Sequence, residues 1–102
     1  MNVDIEITSP TANSSTIDVS SARVSKNDTI TWLNSTGDDV ILLIPHPGLG
    51  DGQGHVFRSI HDGDSEKVKI TKSTLGRYRY GIFCFGTNSF ATGSDPEIII
   101  VP

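Results

Sequence analysis

The stretch Val24-Ser-Lys-Asn-Asp-Thr-Ile-Thr-Trp-Leu-Asn34 carries the clearest indication of the fold of this 102-residue chain. Hydrophobic and polar residues alternate along it, so Ile30 and Trp32 fall on one face of an extended strand. β-branched residues fill the segment and favour the same conformation. Most of the remaining chain also has a period of two, which predicts strands rather than helices.

Short segments with strand character are separated by turn-forming residues along the whole chain. Val40–Ile44 is a continuous apolar run, which predicts a strand covered on both faces. The other predicted strands, including an alternation around Ile17 and Val19, are Val3–Thr8, Val56–Ile60, Lys67–Thr71, Arg77–Phe85 and Glu97–Val101. Seven or eight short strands without a helix are typical of one all-β domain. We expect a Greek-key sandwich or small barrel of mostly antiparallel strands spanning residues 1–102.

The composition excludes several classes of protein. One cysteine rules out an internal disulfide and any zinc site that needs a cysteine pair. Twelve acidic residues against eight basic ones disfavour a nucleic-acid surface, and no apolar run reaches the ~20 residues of a membrane span. The residues after Met1 lack a signal-peptide pattern. We therefore expect an extracytoplasmic location if a leader has been removed, and a cytoplasmic one otherwise.

Three segments in the correct order resemble the cupredoxin family. Val24–Asn34 resembles the strand pattern V-x-x-G-D-x-V-x-W-x-N, and Gly76-Arg-Tyr-Arg-Tyr80 with Cys84 resembles the strand that leads to the copper loop. Ile98–Val101 lies where the last strand of the family ends the domain. The resemblance covers most of the chain from about Ile17 onward. It implies a blue-copper fold, whose metal is held by one thiolate, two imidazoles and a weak axial ligand.

The residues at the corresponding ligand positions differ from that pattern. The window for the first histidine holds Asp39, Val40 and Ile41. Counting from Gly76, the ligand cysteine would fall at Ile82, and no histidine or methionine follows Cys84. The resemblance therefore implies the fold, and the departures argue against copper electron transfer. We expect the apolar residues to pack as core and the domain to hold no cofactor.

A second hypothesis is a metal site of another kind. Three histidines surround a loop rich in glycine and proline, and imidazole suits both copper and zinc. The candidate ligands are His46, His55, His61 and Cys84. Their spacings match no compact ligand motif, although a glycine-rich loop could bring them together. The alternative for Cys84 is a buried small hydrophobe, and for the histidines solvated loop residues.

Two loops and one charged segment are candidate recognition surfaces. The loops Pro45–His55 and Gly86–Asp95 would present His46, Asp51, Gln53, His55 and Asn88. A basic patch would form from Lys67, Lys69, Arg77 and Arg79 if their two strands were neighbours. The plainer interpretation of these cations is a solvated face that discourages edge-to-edge pairing.

The leading functional hypothesis is a copper-free cupredoxin-like binding or structural module. Its partner would be a protein or a carbohydrate, whereas its oligomeric state is not readable from the sequence. No nucleophile motif, paired-carboxylate motif or phosphate loop leading to a helix is present, so we expect no enzymatic activity. The alternatives are the metal-binding protein described above and an immunoglobulin- or fibronectin-like adhesion module.

Overall fold

The computed structural model of the chain describes residues 2–8, 21–50, 54–85, 89–90 and 96–102. These residues contain ten strands and no helix, so none of them forms a helix that could cross a membrane. The strands are β1 (Asn2–Thr8), β2 (Ala22–Val24), β3 (Thr29–Ser35), β4 (Val40–Ile44), β5 (Val56–Ile60), β6 (Ser65–Lys69), β7 (Gly76–Arg79), β8 (Gly81–Cys84), β9 (Ser89–Phe90) and β10 (Glu97–Ile100). The all-β prediction is confirmed, and the alternation around Ile17 and Val19 lies outside the described residues.

Hydrogen bonding arranges the strands in three sheets, β1-β3-β6, β2-β10-β7 and β5-β4-β8-β9. Strand β1 pairs with β3, and β2 with β10, in parallel, whereas the other described pairs are antiparallel. Only Tyr80 separates β7 from β8, so one segment of chain joins the second sheet to the third. The mostly antiparallel arrangement agrees with the prediction.

The three sheets enclose one hydrophobic core in two layers. Strand β1 contacts β2, and β5 contacts β6, so the β1-β3-β6 sheet meets both other sheets along its edges. Across the core, Trp32 of β3 packs edge-to-face on Tyr80, with ring centroids 5.4 Å apart. Asn34 of β3 reaches the Ile60 carbonyl of β5. These contacts make β1-β3-β6 one layer of a sandwich and the two joined sheets the other.

The core is built from the inward half of each alternating strand. In β3, Ile30, Trp32 and Asn34 are fully buried while Leu33 is exposed. The indole Nε1 of Trp32 donates a hydrogen bond to the hydroxyl of Tyr80 at 3.2 Å. Burial raises the pKa of Tyr80 to about 12, because the phenolate would lose its hydration there. The predicted period of two therefore identifies the buried face of this strand correctly.

The turn before β3 shows how the chain replaces a glycine of the family pattern. Asn27 stands at that position and has a φ of 77°, a left-handed conformation that asparagine tolerates better than most residues. Its amide donates to the Ile70 carbonyl at 2.8 Å, which ties the turn to the end of β6. The carboxylate of Asp28 accepts a hydrogen bond from the Ser25 amide, and this bond lowers the pKa of Asp28.

Two predictions about individual strands are wrong. Gly86–Asp95 was expected to be a loop, yet β9 lies inside it and pairs with β8. Strand β4 has the predicted bounds, but only its inward face is fully buried. Its Leu42 is fully buried, whereas Ile41 and Leu43 point outward and are partly exposed. The continuous apolar run therefore does not correspond to a strand buried on both sides.

Candidate functional site

Three of the positions where the cupredoxin resemblance would place metal ligands, Val40, Ile82 and Cys84, are buried in the core. Val40 of β4 pairs with Cys84 of β8, and Leu42 pairs with Ile82 one row further along. Val40, Ile82 and Cys84 are at most 1% exposed. Valine and isoleucine carry no donor atom for copper, so among these positions only the Cys84 thiol could bind it. The residues present do not fit a blue-copper ion.

A buried asparagine closes the core beside this region. Asn34 Nδ2 donates to the carbonyls of Asp38 at 2.7 Å and Ile60 at 2.9 Å. Its Oδ1 accepts from the amide and the hydroxyl of Thr36, at 3.0 and 2.8 Å. Four hydrogen bonds satisfy the amide group of Asn34. The turn that precedes β4 is thereby attached to β5 through the Asn34 side chain.

Cys84 has the surroundings of a small core residue. It is 1% exposed and lies in the same row as Val40, on the inward side of β8. Its chain neighbours Phe83 and Phe85 point to the other side of the strand, where their rings pack edge-to-face with centroids 5.5 Å apart. A buried thiol is shielded from solvent oxidants and soluble metal ions. The structure therefore supports the interpretation of Cys84 as a buried hydrophobe.

The three histidines are not brought together. His46 lies two residues after the end of β4, and its Nε2 lies 2.8 Å from the Arg79 carbonyl. His61 lies at the opposite end of β4, where its Nδ1 is 3.2 Å from Oδ2 of Asp39. His55 is exposed and precedes Val56, the partner of Ile44, so it lies at the His46 end. Five strand residues span roughly 17 Å, which is too far for His46 and His61 to share one ion.

Metal-ligand clusters were also sought over the residues that the structure describes. No group of three or more His, Cys, Asp or Glu side chains there could hold a metal ion. Cys84 lies inside the core, while His61 is 70% exposed on the surface beside Asp39. The predicted non-standard site of His46, His55, His61 and Cys84 is therefore not formed as one cluster.

The histidine at the other end of β4 belongs to a small surface cluster. The ring of His46 packs edge-to-face on Tyr78, with centroids 5.3 Å apart. The ammonium group of Lys72 lies 5.1 Å from the centroid of the same tyrosine ring. The Tyr78 hydroxyl donates to the Thr74 carbonyl at 3.0 Å. These contacts attach the start of the Pro45–His55 loop to the sheet. The described side chains of this cluster contact one another and do not form a ligand-binding site.

The first half of that loop is built into the fold rather than free for recognition. Leu49 is fully buried, and its carbonyl accepts the amide of Thr71 at 2.9 Å. Gly50 forms an isolated bridge with Ile70, so close to β6 that a Cβ atom there would collide with Val68 Cγ1. Asp51, Gln53 and Asn88, three of the predicted recognition residues, lie outside the described residues.

The predicted basic patch depended on two strands being neighbours, and the hydrogen bonding does not make them so. Lys67 and Lys69 lie on β6, which pairs with β3. Arg77 and Arg79 lie on β7, which pairs with β10 in another sheet. The guanidinium of Arg77 also forms an ion pair with Glu97 at 3.3 Å. These four cations are therefore distributed over two sheets.

A surface that the sequence analysis did not single out is the outward side of the β5-β4-β8 strands. We call it the apolar face; it consists of Ile41, Leu43, Phe57, Phe83 and Phe85. The first four line a shallow groove of about 240 Å³. Phe57 is 67% exposed and Phe85 is 53% exposed. Its signal in the sequence was the apolar run of β4, whose outward half was interpreted as buried.

Comparisons with known proteins show which fold this is. Protein-family models and curated protein sequences gave no match. Among solved structures, a Cu(I) form of an amicyanin variant is 14% identical, with a TM-score of 0.61, over 98% of this chain and 82% of that one. Amicyanin from Paracoccus versutus is 13% identical, with a TM-score of 0.59, over 98% and 81% of the two chains. Since amicyanin is a cupredoxin, the chain has the cupredoxin-like fold that the resemblance implied, and not an immunoglobulin-like one.

Proposed function

We propose that this chain is a cupredoxin-like binding module that does not carry electrons through a blue-copper site. The apolar face carries the proposal, because it places the exposed rings of Phe57 and Phe85 on the outer side of the sheet. Monomeric proteins rarely expose contiguous apolar patches larger than a few hundred Å², and such patches mark interaction sites. The module therefore binds by surface contact and performs no chemistry.

The buried row at the end of β4 supports the first half of the proposal. Val40 and Ile82 fill the space where ligands would be needed, and Cys84 packs against them. A blue-copper ion there would require several donor atoms, and among these three residues only the Cys84 thiol offers one. The solved amicyanin structures include Cu(I) forms, so proteins of this fold hold copper elsewhere.

The character of the apolar face supports a protein partner over a carbohydrate. Sugars are recognised largely through hydrogen bonds, and the side chains of Ile41, Leu43 and Phe57 offer none. The recognition loops predicted from the sequence are less suitable, because residues 45–50 are held against β6. An extracytoplasmic location stays a prediction.

Copper titration of the purified protein without a histidine tag tests the copper-free half of the proposal. We expect no intense thiolate-to-copper absorption band in the visible region and no rise in melting temperature. A site occupied at 100 times its dissociation constant would stabilise the protein by about 2.7 kcal/mol, which a melting curve resolves easily.

A Cys84→Ala variant provides the control for that titration. Any copper bound by surface histidines would be retained by the variant, whereas copper bound by the thiolate would be lost. Stoichiometric uptake with a charge-transfer band that disappears in Cys84→Ala would overturn the proposal.

A further inference from the structure

The apolar face ends at the carboxylate of Asp39, the residue that precedes β4. Side chains alternate between the two sides of an extended segment, so Asp39 lies on the same side as Ile41 and Leu43. The amide of Phe85 donates to the Asp39 carbonyl at 3.2 Å, which continues the antiparallel pairing of β4 with β8. Asp39 therefore occupies the next outward row of the face, about 7 Å from Ile41 along the strand.

One basic group of the chain contacts this carboxylate. His61 stands opposite Asp39 when the register of β4 and β5 is continued, and its Nδ1 lies 3.2 Å from Oδ2. Both side chains are exposed, His61 at 70% and Asp39 at 49%. The Oδ1 atom of Asp39 accepts no hydrogen bond from any residue that the structure describes. This oxygen is therefore available to a cation from outside the chain.

The charged residues around this end of the face are acidic. Asp38 and Asp62 are exposed in the two turns that hold Asp39 and His61, and the Asp62 carboxylate accepts the amide of Gly37 at 2.9 Å. The chain as a whole carries a net charge of -4. A positively charged group is therefore attracted to the Asp39 end of the face, and a negatively charged group is repelled.

The groove beside Asp39 has the character of a pocket for an apolar side chain. Phe57 on the β5 side and Phe83 on the β8 side form its walls, with Ile41 and Leu43 of β4 between them. Beyond Phe83 the sheet continues into β9, so the groove lies over β4 and β5 rather than at the β8 edge. None of the four lining side chains can form a hydrogen bond, so the groove selects by shape and apolarity.

The groove and the carboxylate together specify the chemistry of a partner. Any surface that covers the groove also removes water from Asp39, because this residue borders Ile41 and Phe85. Burying a carboxylate without an opposite charge is costly, so a purely apolar partner fits poorly. The spacing of about 7 Å matches an apolar and a basic residue two positions apart on a strand of the partner.

From these observations we propose that the apolar face docks a protein that presents an apolar side chain beside a lysine or arginine. The apolar side chain fills the groove between Phe57 and Phe83, and the cation pairs with Oδ1 of Asp39. This inference rests on the proposed binding function and adds to it the charge of the partner and the residue that recognises that charge.

Two blocked tripeptides test the proposal without knowledge of the natural partner. One has the sequence phenylalanine-serine-arginine, and the other has citrulline, which has the shape of arginine without its charge. Titration into the isotope-labelled protein, up to about 10 mM, is followed by NMR chemical shifts. We expect the amides of Ile41, Leu43 and Phe57 to shift. The arginine peptide should bind at least about threefold more tightly, as an exposed ion pair provides.

Two pairs of variants locate the contacts. Asp39→Asn should abolish the preference for the arginine peptide, whereas Asp4→Asn makes the same charge change on the other layer and should keep it. Phe57→Ser should weaken both peptides by at least about fivefold. Leu33→Ser removes another exposed apolar side chain, on the β1-β3-β6 sheet, and should change neither. Dispersed amide signals check that each variant is folded.

Several results would overturn this inference. Equal binding of the two peptides, or a preference that Asp39→Asn retains, would show that Asp39 does not recognise a cation, while the apolar face would remain a binding surface. The absence of saturable shifts with either peptide would overturn the docking site itself. Shifts at Phe57 that depend on protein concentration alone would assign the face to a second copy instead. The copper titration is independent of all these measurements.

Discussion

The outer sides of the two sandwich layers differ in character although their inner sides are alike. The β1-β3-β6 sheet carries acidic residues on β1, such as Asp4 and Glu6, and lysines on β6, such as Lys67. The β5-β4-β8 strands present the apolar face and no outward charge. Both sheets nevertheless contribute fully buried side chains to one core. The comparison teaches that the inward half of each strand determines the fold, while the outward half is available for function.

The largest effect is expected from neighbouring leucines on opposite sides of β4. Leu42 is fully buried, so Leu42→Ala should lower the free energy of unfolding by about 2–5 kcal/mol. Leu43 points outward, so Leu43→Ala should cost about 1 kcal/mol or less. Urea denaturation at low protein concentration measures both. If both variants lost the same free energy of unfolding, the apolar face would be a second core. The two faces of β4 would then not differ in their contribution to stability.

The buried asparagine is the polar exception on the inner side. In Asn34→Ala the buried Ile60 carbonyl loses the Asn34 amide and the Asp38 carbonyl keeps only the Thr36 hydroxyl as a side-chain donor, which should cost about 2–4 kcal/mol. Ser35→Ala is the matched control, because Ser35 points outward and donates only to the exposed Glu6 carboxylate. Denaturation curves should separate the two variants by at least about 1.5 kcal/mol. If Asn34→Ala left the free energy of unfolding unchanged, the turn before β4 would not depend on this side chain.

The contact between the layers is tested by Tyr80→Phe. At neutral pH this change should cost about 1–2 kcal/mol, because Trp32 Nε1 loses its buried acceptor. The pKa of Tyr80 rises from 10.0 to about 12 on folding, so the folded chain holds a proton that the unfolded chain releases. Stability from this group is complete below pH 10 and falls as the pH rises from 10 to about 12.

The alkaline limb of the stability curve isolates that contribution. Between pH 10 and about 12 the wild type should lose on the order of 2–3 kcal/mol more than Tyr80→Phe does. Tyr78→Phe is the control, since Tyr78 is only partly buried and donates to Thr74, and it should keep the steep loss. If Tyr80→Phe lost stability as steeply as the wild type, the buried hydroxyl would not explain the pH dependence.

The smallest effect is expected on the charged outer face. Lys67 is exposed opposite Thr31, so Lys67→Ala should change the free energy of unfolding by less than about 0.5 kcal/mol. Thermal denaturation of the variant and of the wild type under the same conditions measures this difference. Lys67 is useful chiefly against edge-to-edge pairing of β6, as lysines on edge strands generally are. A loss above about 1.5 kcal/mol would show instead that this outer face contributes to stability.

The positions of many strands along the chain could be predicted from the sequence. The bounds of β4 and β5 match the predicted segments Val40–Ile44 and Val56–Ile60. Strand period depends on local alternation, so a single sequence contains it. The departure from the blue-copper pattern was equally readable, because it concerns residue identity at known positions. The short strand β9 was not, since two residues in a polar stretch carry no alternation and depend on pairing with β8.

The sequence alone leaves the metal hypothesis undecided for a geometric reason. His46 and His61 are fifteen positions apart, and either a loop or a strand could separate them. The structure places β5 in that interval, antiparallel to β4, so the two histidines lie near opposite ends of β4. The basic segment was ambiguous in the same way, because only hydrogen bonding decides whether β6 and β7 are neighbours.

By itself the sequence determined that this chain forms strands, which residues share a face in each strand, and that blue-copper ligands are missing from their expected positions. These are local properties, written in alternation and in residue identity. Only the tertiary structure decided which faces are covered. Strand β4 has apolar side chains on both sides; Val40, Leu42 and Ile44 are buried in the core that the three sheets share, whereas Ile41 and Leu43 stay partly exposed. The burial of a strand face depends on tertiary contacts, which the sequence does not state. The apolar face could therefore be recognised only in the folded chain.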